Sequence, residues 1–421
     1  MSRGNASSPS GPGRSDQHDM VQFGRRRPPR GRWAAWAVLL AAAVLAAVFV
    51  TAAHGRKPPP AAASGGTPAP AAPAPAPVVV TELGHRLLGA TGSWELFGLA
   101  GGEVIRIQPA QGRITRTMIP PLLSTGPVSF LAGPGQVIIR PLDFVPGYLV
   151  PDGRPARELR GVLGNGGPVF PGPAPGQVWV PAGSGDHVSL SLARMDGTTL
   201  GASFPVPGGD SSLMAALADG GGYVLVPGAS GWYDARPGAF HLVTRGAVVA
   251  VGPTRWLAVE CHGKTHCTPV VIDSAGGARR ILPGNALPWW HADADIFPGT
   301  ISPDGSTAAV FGTGNAGTPT LHLIDLTSGA DHQLAVQGPP GAGAMAWSPD
   351  SRWLFAAASP VQARRLIAVN ARTRRAADLG VTLPQVSQVA VAANAGTSRL
   401  PSHTGPSQMS PHEPMNYRSS T

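Results

Sequence analysis

The sequence predicts an all-β fold, a β-propeller of about seven four-stranded blades over residues 79–395, with six or eight blades as alternatives. Three observations predict it. Short apolar or alternating runs recur along this stretch, Gly, Pro or Asp-Gly punctuates them, and the turns recur at a blade-like spacing. No convincing amphipathic helix interrupts these runs.

The spacing of the turns favours a propeller over a sandwich or a barrel. Four-stranded blades recur at roughly 40–50 residues. The intervals between successive tight turns are 41, 44, 41, 38, 53 and 44 residues. The turns lie near Gly112, Gly153, Gly197, Gly238, Gly276, Gly329 and Thr373. The predicted strands include EVIRIQ, GQVIIR, GQVWVP, GYVLVP, HLVTRG, PVVID, TLHLIDL and RLIAVN.

Two Ser-Pro-Asp turns mark the last part of the predicted propeller. They start at Ser302, in ISPDGSTAAV, and at Ser348, in MAWSPDSRWLF, and they are 46 residues apart, which is one blade. Ser can bond the backbone, Pro presets φ at the second position of a type I turn, and Asp suits the third. Each turn is predicted to link the inner strand of a blade to its second strand.

These two segments resemble the repeats of TolB-type and related WD-repeat-like propellers. The shared pattern is a hydrophobic-Ser-Pro-Asp-Gly turn, a strand, and a strand ending in Asp-x-x-Thr-Gly, as in LHLIDLTSG. The resemblance covers residues 297–380 closely. It implies a rigid propeller surface for partners, and in some members a following hydrolase domain. It implies fold more securely than role.

A propeller ring must be closed by joining its two ends. We expect VVVTEL (residues 78–83) to pair with the terminal blade near VSQVAVA (residues 386–392).

The N-terminal region predicts a membrane anchor. Residues 1–32 form a basic, disordered cytoplasmic tail with a net charge of +5. Residues 33–53 are 21 uncharged, apolar residues, the length of a transmembrane helix. The arginines before it place the N-terminus in the cytoplasm and the propeller outside the cell membrane. The alternative is a cleaved signal peptide with TAAHG as its processing site.

Low-complexity segments flank the predicted propeller. Residues 54–78 form a Pro/Ala-rich linker, which favours an extended polyproline II conformation. Residues 396–421 are rich in Ser, Pro, Thr and His and predict a disordered C-terminal tail. Thirty of the 32 basic residues are arginines, and Ala, Gly and Pro are abundant, which suggests a GC-rich, actinobacterial source.

The only two cysteines, Cys261 and Cys267, predict a disulfide. They are six residues apart in a polar loop between two predicted strands, on the oxidising side of the membrane. The alternative adds His262 and His266 to form a Cys₂His₂ metal site. Four ligands within seven consecutive residues would strain the loop, so we predict no metal and no cofactor.

The best candidate for a binding site is PWWHADADIF (residues 288–297), because it lies in the 53-residue interval and implies an inserted loop. Its side chains could form a platform for a carbohydrate or a peptide. The alternative is that the tryptophans cover the core and the aspartates face water. The candidate residues are Trp289, Trp290, His291, Asp293 and Asp295.

No catalytic motif is recognisable. The sequence has no Gly-x-Ser-x-Gly, no His-Glu-x-x-His and no P-loop, and GTGNAG precedes a strand instead of the helix that a dinucleotide site needs. Outside residues 1–57 the net charge is only about +2, so a nucleic-acid partner is not expected.

The sequence therefore favours a non-catalytic scaffold or recognition module for a protein, peptide or cell-wall partner. Two alternatives remain open. One is an envelope enzyme of the lyase or dehydrogenase type with its site at the propeller channel. The other is a sensor that recruits a cytoplasmic partner through its tail.

Overall fold

The predicted strands form six β-sheets in the computed structural model of the chain. It describes residues 77–393 except 125, 144, 165, 184, 186, 207–208, 263–265, 284–286, 288–297, 314–318, 339–343, 359–364 and 380. The predicted tails, the membrane helix and all but two residues of the linker lie outside the described residues. Within the described part of the chain, no helix has the length and apolar character needed to cross a membrane.

The strands are numbered in chain order. Sheet 1 comprises β1 (Val78–Glu82), β2 (Trp94–Ala100), β3 (Glu103–Gln108), β4 (Arg113–Met118) and the last strand, β29 (Gln388–Ala393). Sheet 2 comprises β5 (Val128–Gly133), β6 (Gln136–Pro141), β7 (Tyr148–Pro151) and β8 (Arg157–Glu158). Sheet 3 comprises β9 (Phe170–Pro171), β10 (Gln177–Ala182), β11 (Ser189–Arg194) and β12 (Thr199–Pro205). Sheet 4 comprises β13 (Leu217–Ala218), β14 (Val224–Gly228), β15 (Gly231–Arg236) and β16 (Ala239–Thr244).

Sheet 5 has eight strands. Its first half, unit 5a, comprises β17 (Ala247–Val251), β18 (Arg255–His262), β19 (His266–Asp273) and β20 (Arg279–Ile281). Its second half, unit 5b, comprises β21 (Gly299–Ile301), β22 (Thr307–Thr313), β23 (Pro319–Asp325) and β24 (Asp331–Gln337). Sheet 6 comprises β25 (Met345–Trp347), β26 (Trp353–Ala358), β27 (Arg365–Asn370) and β28 (Arg375–Asp378). The described helices are a 3₁₀ turn (Gly161–Leu163) and α1 (Gly209–Met214).

The fold is an all-β propeller with four-stranded blades, but five blades stand as separate sheets, fewer than the seven predicted. Sheet 5 accounts for the difference, because β17 and β21 pair in parallel through Ala250–Gly299 and Val251–Thr300. This ladder fuses units 5a and 5b into one sheet. Each predicted turn does lie between the third and fourth strand of an antiparallel four-stranded unit.

The ring closes differently from the prediction. Strand β1 does not pair with the C-terminal strand; it pairs with β4, with Val78 opposite Thr117. Strand β29 pairs instead with β2, with Ala390 opposite Phe97, so the two ends lie at opposite edges of sheet 1. The apolar strand β29 is the inner one and lies beside both β5 and β25. Strand β1 is the exposed outer strand, and Val79 is 51% exposed.

The core lies between the faces of adjacent sheets, which explains why many strands are apolar on both faces. All seven residues of β2 are buried. Trp94 of β2 packs against Phe355 of sheet 6, with 5.4 Å between ring centroids. Trp179 packs edge-on against Phe204 of the same sheet, and its indole N–H reaches towards sheet 4 by donating to the carbonyl of Gly222 (2.9 Å). Burial on both faces gives continuous apolar runs in place of strict alternation.

Candidate functional site

The predicted binding loop lies outside the described residues. This applies to all five of its candidate residues, Trp289, Trp290, His291, Asp293 and Asp295. The described chain leaves β20 at Ile281 and resumes as a strand at Gly299.

The predicted disulfide is confirmed. Cys261 on β18 and Cys267 on β19 are directly opposite each other in the ladder and are bonded, with His262 opposite His266 beyond them. Because both thiols are used in this bond, they are not available as thiolate ligands for the alternative metal site. The described residues contain no group of three or more metal-binding side chains.

The first strands of the four-stranded units contain few ionisable side chains. The seven inner strands are β29, β5, β9, β13, β17, β21 and β25, and none contains an Asp, Glu, His, Lys or Arg.

A hydrogen-bonded row on unit 5b resembles a catalytic triad but braces two strands. His322 of β23 lies 3.0 Å from the carboxylate of Asp331 through Nδ1 and 3.3 Å from the hydroxyl of Thr320 through Nε2. Gln333 donates to the same hydroxyl (3.0 Å). His322 is buried, only 4% exposed, so this row ties β23 to β24 within the sheet.

A charged cavity lies between unit 5b and sheet 6, at the end where the Ser-Pro-Asp turns lie. We call it the junction cleft, and its volume is about 610 Å³. One wall comes from unit 5b and carries Asp304, Thr307, Asp325 and His332. The other wall comes from sheet 6 and carries Asp350, Ser351, Arg352, Arg372 and Arg374.

The cleft aspartates are used by their own turns. Asp304 Oδ1 accepts from the Ser302 hydroxyl (2.6 Å) and from the Ser306 N–H (3.0 Å), and Asp350 Oδ1 accepts from the Ser348 hydroxyl (2.5 Å). Asp325 Oδ1 accepts two backbone N–H groups of the following turn. These bonds confirm the predicted turns and fix the carboxylates in the cleft walls.

Hydrogen bonding keeps two of these carboxylates ionised. Partial burial raises the pKa of Asp304, but the hydrogen bonds from Ser302 and Ser306 outweigh it and hold that pKa below its ordinary value. The N–H of Ser328 lowers the pKa of Asp325, partial burial opposes it, and the N–H of Thr327 adds to the lowering. The unit 5b wall is therefore negative at neutral pH.

The opposite wall is rich in arginine. Arg352, Arg372 and Arg374 are exposed, and no acidic side chain among the described residues forms an ion pair with any of them. Arg374 donates an Nη1–H to Nδ1 of His332 across the cleft (3.3 Å). The cleft therefore has guanidinium groups whose remaining donors face solvent. Sequence reasoning missed these arginines, because it interpreted both turns as structural.

Backbone strain is also concentrated in this cleft. Three non-glycine residues in the described chain have positive φ, and two of them, Ser351 (58°) and Arg374 (56°), line the cleft. The left-handed region costs an L-residue roughly 1–2 kcal/mol. The hydroxyl of Ser351 accepts the N–H of Asp304 across the junction (3.0 Å), which offsets part of that cost.

A second cavity, the seam cleft, lies where the ring closes, between sheet 1, the start of sheet 2 and residues 384–388. Its volume is about 750 Å³. Its charged groups, Glu103 and Arg116, neutralise each other through two parallel hydrogen bonds of 2.9 and 2.6 Å. Gln388 donates to the carbonyl of Val128 (2.7 Å). The seam cleft therefore offers fewer free charged groups than the junction cleft.

Two buried carboxylates in sheet 4 have a structural role. Burial raises the pKa of Asp234 to about 6; Arg236, which donates to it (2.7 Å), opposes the rise, and Asp219 adds to it. Burial also raises the pKa of Asp219, whose Oδ1 accepts the N–H groups of Gly221 and Tyr223 (2.7 Å each). Neither carboxylate lines the junction cleft.

Comparison with known proteins gives distant structural matches. No protein-family model and no curated sequence matches the chain. TolB from Acinetobacter baumannii has a TM-score of 0.40 and 11% identity, over 72% of this chain and 67% of its own. A functionally unknown protein from Desulfotomaculum acetoxidans has a TM-score of 0.44 and 12% identity, over 71% of this chain and 99% of its own.

A third structural match is a protein from Bacteroides fragilis, provisionally named a 6-phosphogluconolactonase. It has a TM-score of 0.44 and 13% identity, over 72% of this chain and 99% of its own. These matches identify no family. The names of the matched proteins are also mixed.

Proposed function

We propose that the chain is a non-catalytic recognition module, a propeller held outside the cell membrane by the helix at residues 33–53. The observation that carries the proposal is the junction cleft, where three exposed arginines, none in an ion pair among the described residues, face the turn-bound Asp304 and Asp325. Such a surface supplies directional charged contacts. The partner we favour is another protein of the cell envelope.

The test is cross-linking in membranes. The intact protein is compared with an Arg352→Gln/Arg372→Gln/Arg374→Gln variant after cross-linking and affinity capture from membranes. The matched control is Arg154→Gln, because Arg154 is an exposed arginine in the third turn of sheet 2 and lies outside the cleft. We expect the triple variant alone to lose a specific cross-linked partner. Identical profiles for all three proteins would reject the cleft as the recognition surface.

The loop at residues 288–297 is tested in the same experiment. A Trp289→Ala/Trp290→Ala variant that keeps the partner would assign recognition to the cleft, and one that loses it would assign recognition to the loop.

The proposed location has its own test. Disulfides form in oxidising compartments and are rare in the cytosol. We therefore expect the pair Cys261–Cys267 to resist alkylation in intact cells until a reductant is added. Immediate alkylation of both thiols would contradict an extracytoplasmic propeller.

A further inference from the structure

The junction between units 5a and 5b is closed by arginines. Arg255, the first residue of β18, donates to the carbonyl of Gly305 in the Ser-Pro-Asp turn of unit 5b (2.8 Å). Arg280 of β20 donates to the carbonyl of Thr327 (3.3 Å) and also bonds the carbonyl of Leu326. Both arginines therefore reach from one unit to the turns of the next.

The same positions in unit 5b hold shorter side chains. In the ladder of unit 5a, Arg255 lies opposite Asp273. In the matching ladder of unit 5b, Thr307 lies opposite Asp325, so Thr307 occupies the position of Arg255. Arg280 lies opposite the residue two before Asp273, and His332 lies opposite the residue two before Asp325. His332 therefore occupies the position of Arg280. Neither Thr nor His reaches as far as an arginine, and the junction with sheet 6 is left open as a cleft.

The glycines show the same contrast. Gly305 and Gly329 have φ of 73° and 74°, and a Cβ on Gly329 would overlap the carbonyl oxygen of Pro283, which follows β20. Their counterparts in sheet 6 are Ser351 and Arg374, which close the same turns with hydrogen bonds of 2.9 and 2.7 Å. Side chains are tolerated there because the cleft gives them room. Strained residues that project into a cleft indicate a functional surface.

The charges of the cleft select a class of ligand. The three sheet 6 arginines call for carboxylate or phosphate oxygens, which guanidinium groups bind with charge-assisted hydrogen bonds. The carboxylates of Asp304 and Asp325 on the other wall, with Asp350 beside the arginines, disfavour an anion that has no hydrogen-bond donors, such as a polyphosphate. A peptide with acidic side chains satisfies both walls, because its carboxylates face the arginines and its backbone N–H groups can donate to the aspartates.

We infer that the junction cleft binds an acidic peptide segment of a partner protein, with Arg352, Arg372 and Arg374 as the carboxylate-binding residues. The inference rests on the proposed recognition function and specifies the chemistry of its partner.

The test measures peptide binding by the full-length protein purified in detergent. The probe is a fluorescein-labelled ten-residue peptide of alternating Glu and Ala, followed by fluorescence anisotropy, and its Gln/Ala counterpart is the uncharged control. We expect saturable binding of the Glu peptide alone. It should weaken as salt is raised, because the contacts are partly exposed ion pairs. The Arg352→Gln/Arg372→Gln/Arg374→Gln variant should bind about tenfold more weakly or worse, and Arg154→Gln should bind as the wild type does.

Three results would overturn the inference. They are no saturable binding of the Glu peptide, equal affinity of the wild type and the triple variant, and tighter binding of inorganic polyphosphate than of the Glu peptide. The wider proposal is judged separately. If the triple variant loses its partner in membranes but the Glu peptide does not bind, the cleft is a recognition surface for another chemistry.

Discussion

The two junctions of unit 5b, with unit 5a and with sheet 6, are built from the same turns but differ in the contacts that join them. Towards unit 5a, a parallel ladder, two arginine clamps and two close-fitting glycines join the units. Towards sheet 6, the turns make two hydrogen bonds across the gap, from Asp304 to Ser351 and from Arg374 to His332. The comparison teaches that a few substitutions at equivalent positions turn a structural contact into a cleft.

The largest expected effect comes from adding a methyl group to the closed junction. We expect Gly329→Ala to lower the free energy of unfolding by about 3 kcal/mol, because it combines a left-handed φ with a collision against Pro283. Urea unfolding followed by tryptophan fluorescence measures it. A loss below about 1 kcal/mol would mean that the closed junction is looser than described.

The second effect is the pH dependence of stability, which should differ between the buried Asp234 and Asp304 in the cleft. Burial raises the pKa of Asp234 to about 6 in the folded state. Its contribution to the free energy of unfolding is therefore fully present below pH ~4 and is lost as pH rises to about 6. The loss is up to about 3 kcal/mol. The lowered pKa of Asp304 has the opposite sign, because its stabilisation is present above pH ~4 and is lost on further acidification.

Urea unfolding between pH 3 and pH 7 measures both contributions. Asp234→Asn should remove the loss between pH 4 and 6, and Asp304→Asn should leave it in place. An unchanged pH profile in Asp234→Asn would contradict the raised pKa.

The third effect is the loss of a clamp. Removing the bond from Arg255 to Gly305 by Arg255→Ala should cost about 1–2 kcal/mol, because the acceptor is a partly buried carbonyl. Arg352→Ala at the open junction should change stability by less than about 0.5 kcal/mol, because its guanidinium group has no acidic partner among the described residues. Equal losses in the two variants, measured by thermal unfolding, would erase the distinction between the junctions.

The smallest effect is the release of strain at the open junction. Arg374→Gly should leave stability unchanged or raise it by up to about 1 kcal/mol, since glycine accepts the left-handed φ at no steric cost. A clear loss of stability in unfolding experiments would show that Arg374 has a structural role comparable to that of the clamps.

The sequence predicted the local features of the fold well. The third turn of each four-stranded unit needs a residue with positive φ, and glycine supplies it in six of the seven. The spacing of these glycines therefore predicted the four-stranded units. The closure of the ring was not predictable, because the run VVVTE specifies a strand without specifying its partner. The fusion of units 5a and 5b depends on two residue pairs between inner strands, which have no local signal.

The junction cleft was only partly visible in the sequence. The repeated Ser-Pro-Asp turns pointed to its two walls, and the Asn-Ala-Arg turn near Thr373 departed from the glycine pattern. Its significance depends on the ladder register, which makes Thr307 equivalent to Arg255 and His332 equivalent to Arg280. Those equivalences follow from the pairing of the strands, which no local sequence pattern specifies. The five residues proposed from the sequence as a binding loop remain a prediction.

The central claim is that the junction cleft binds its ligand because the clamps of the neighbouring junction are missing there. The most direct measurement is the affinity of the Glu/Ala peptide for a Thr307→Arg/His332→Arg variant, which restores both arginines and leaves the three binding arginines in place. We predict a more stable protein that has lost most of its peptide affinity, because the new side chains occupy the cleft. A variant that is folded and binds the peptide as tightly as the wild type would contradict the account.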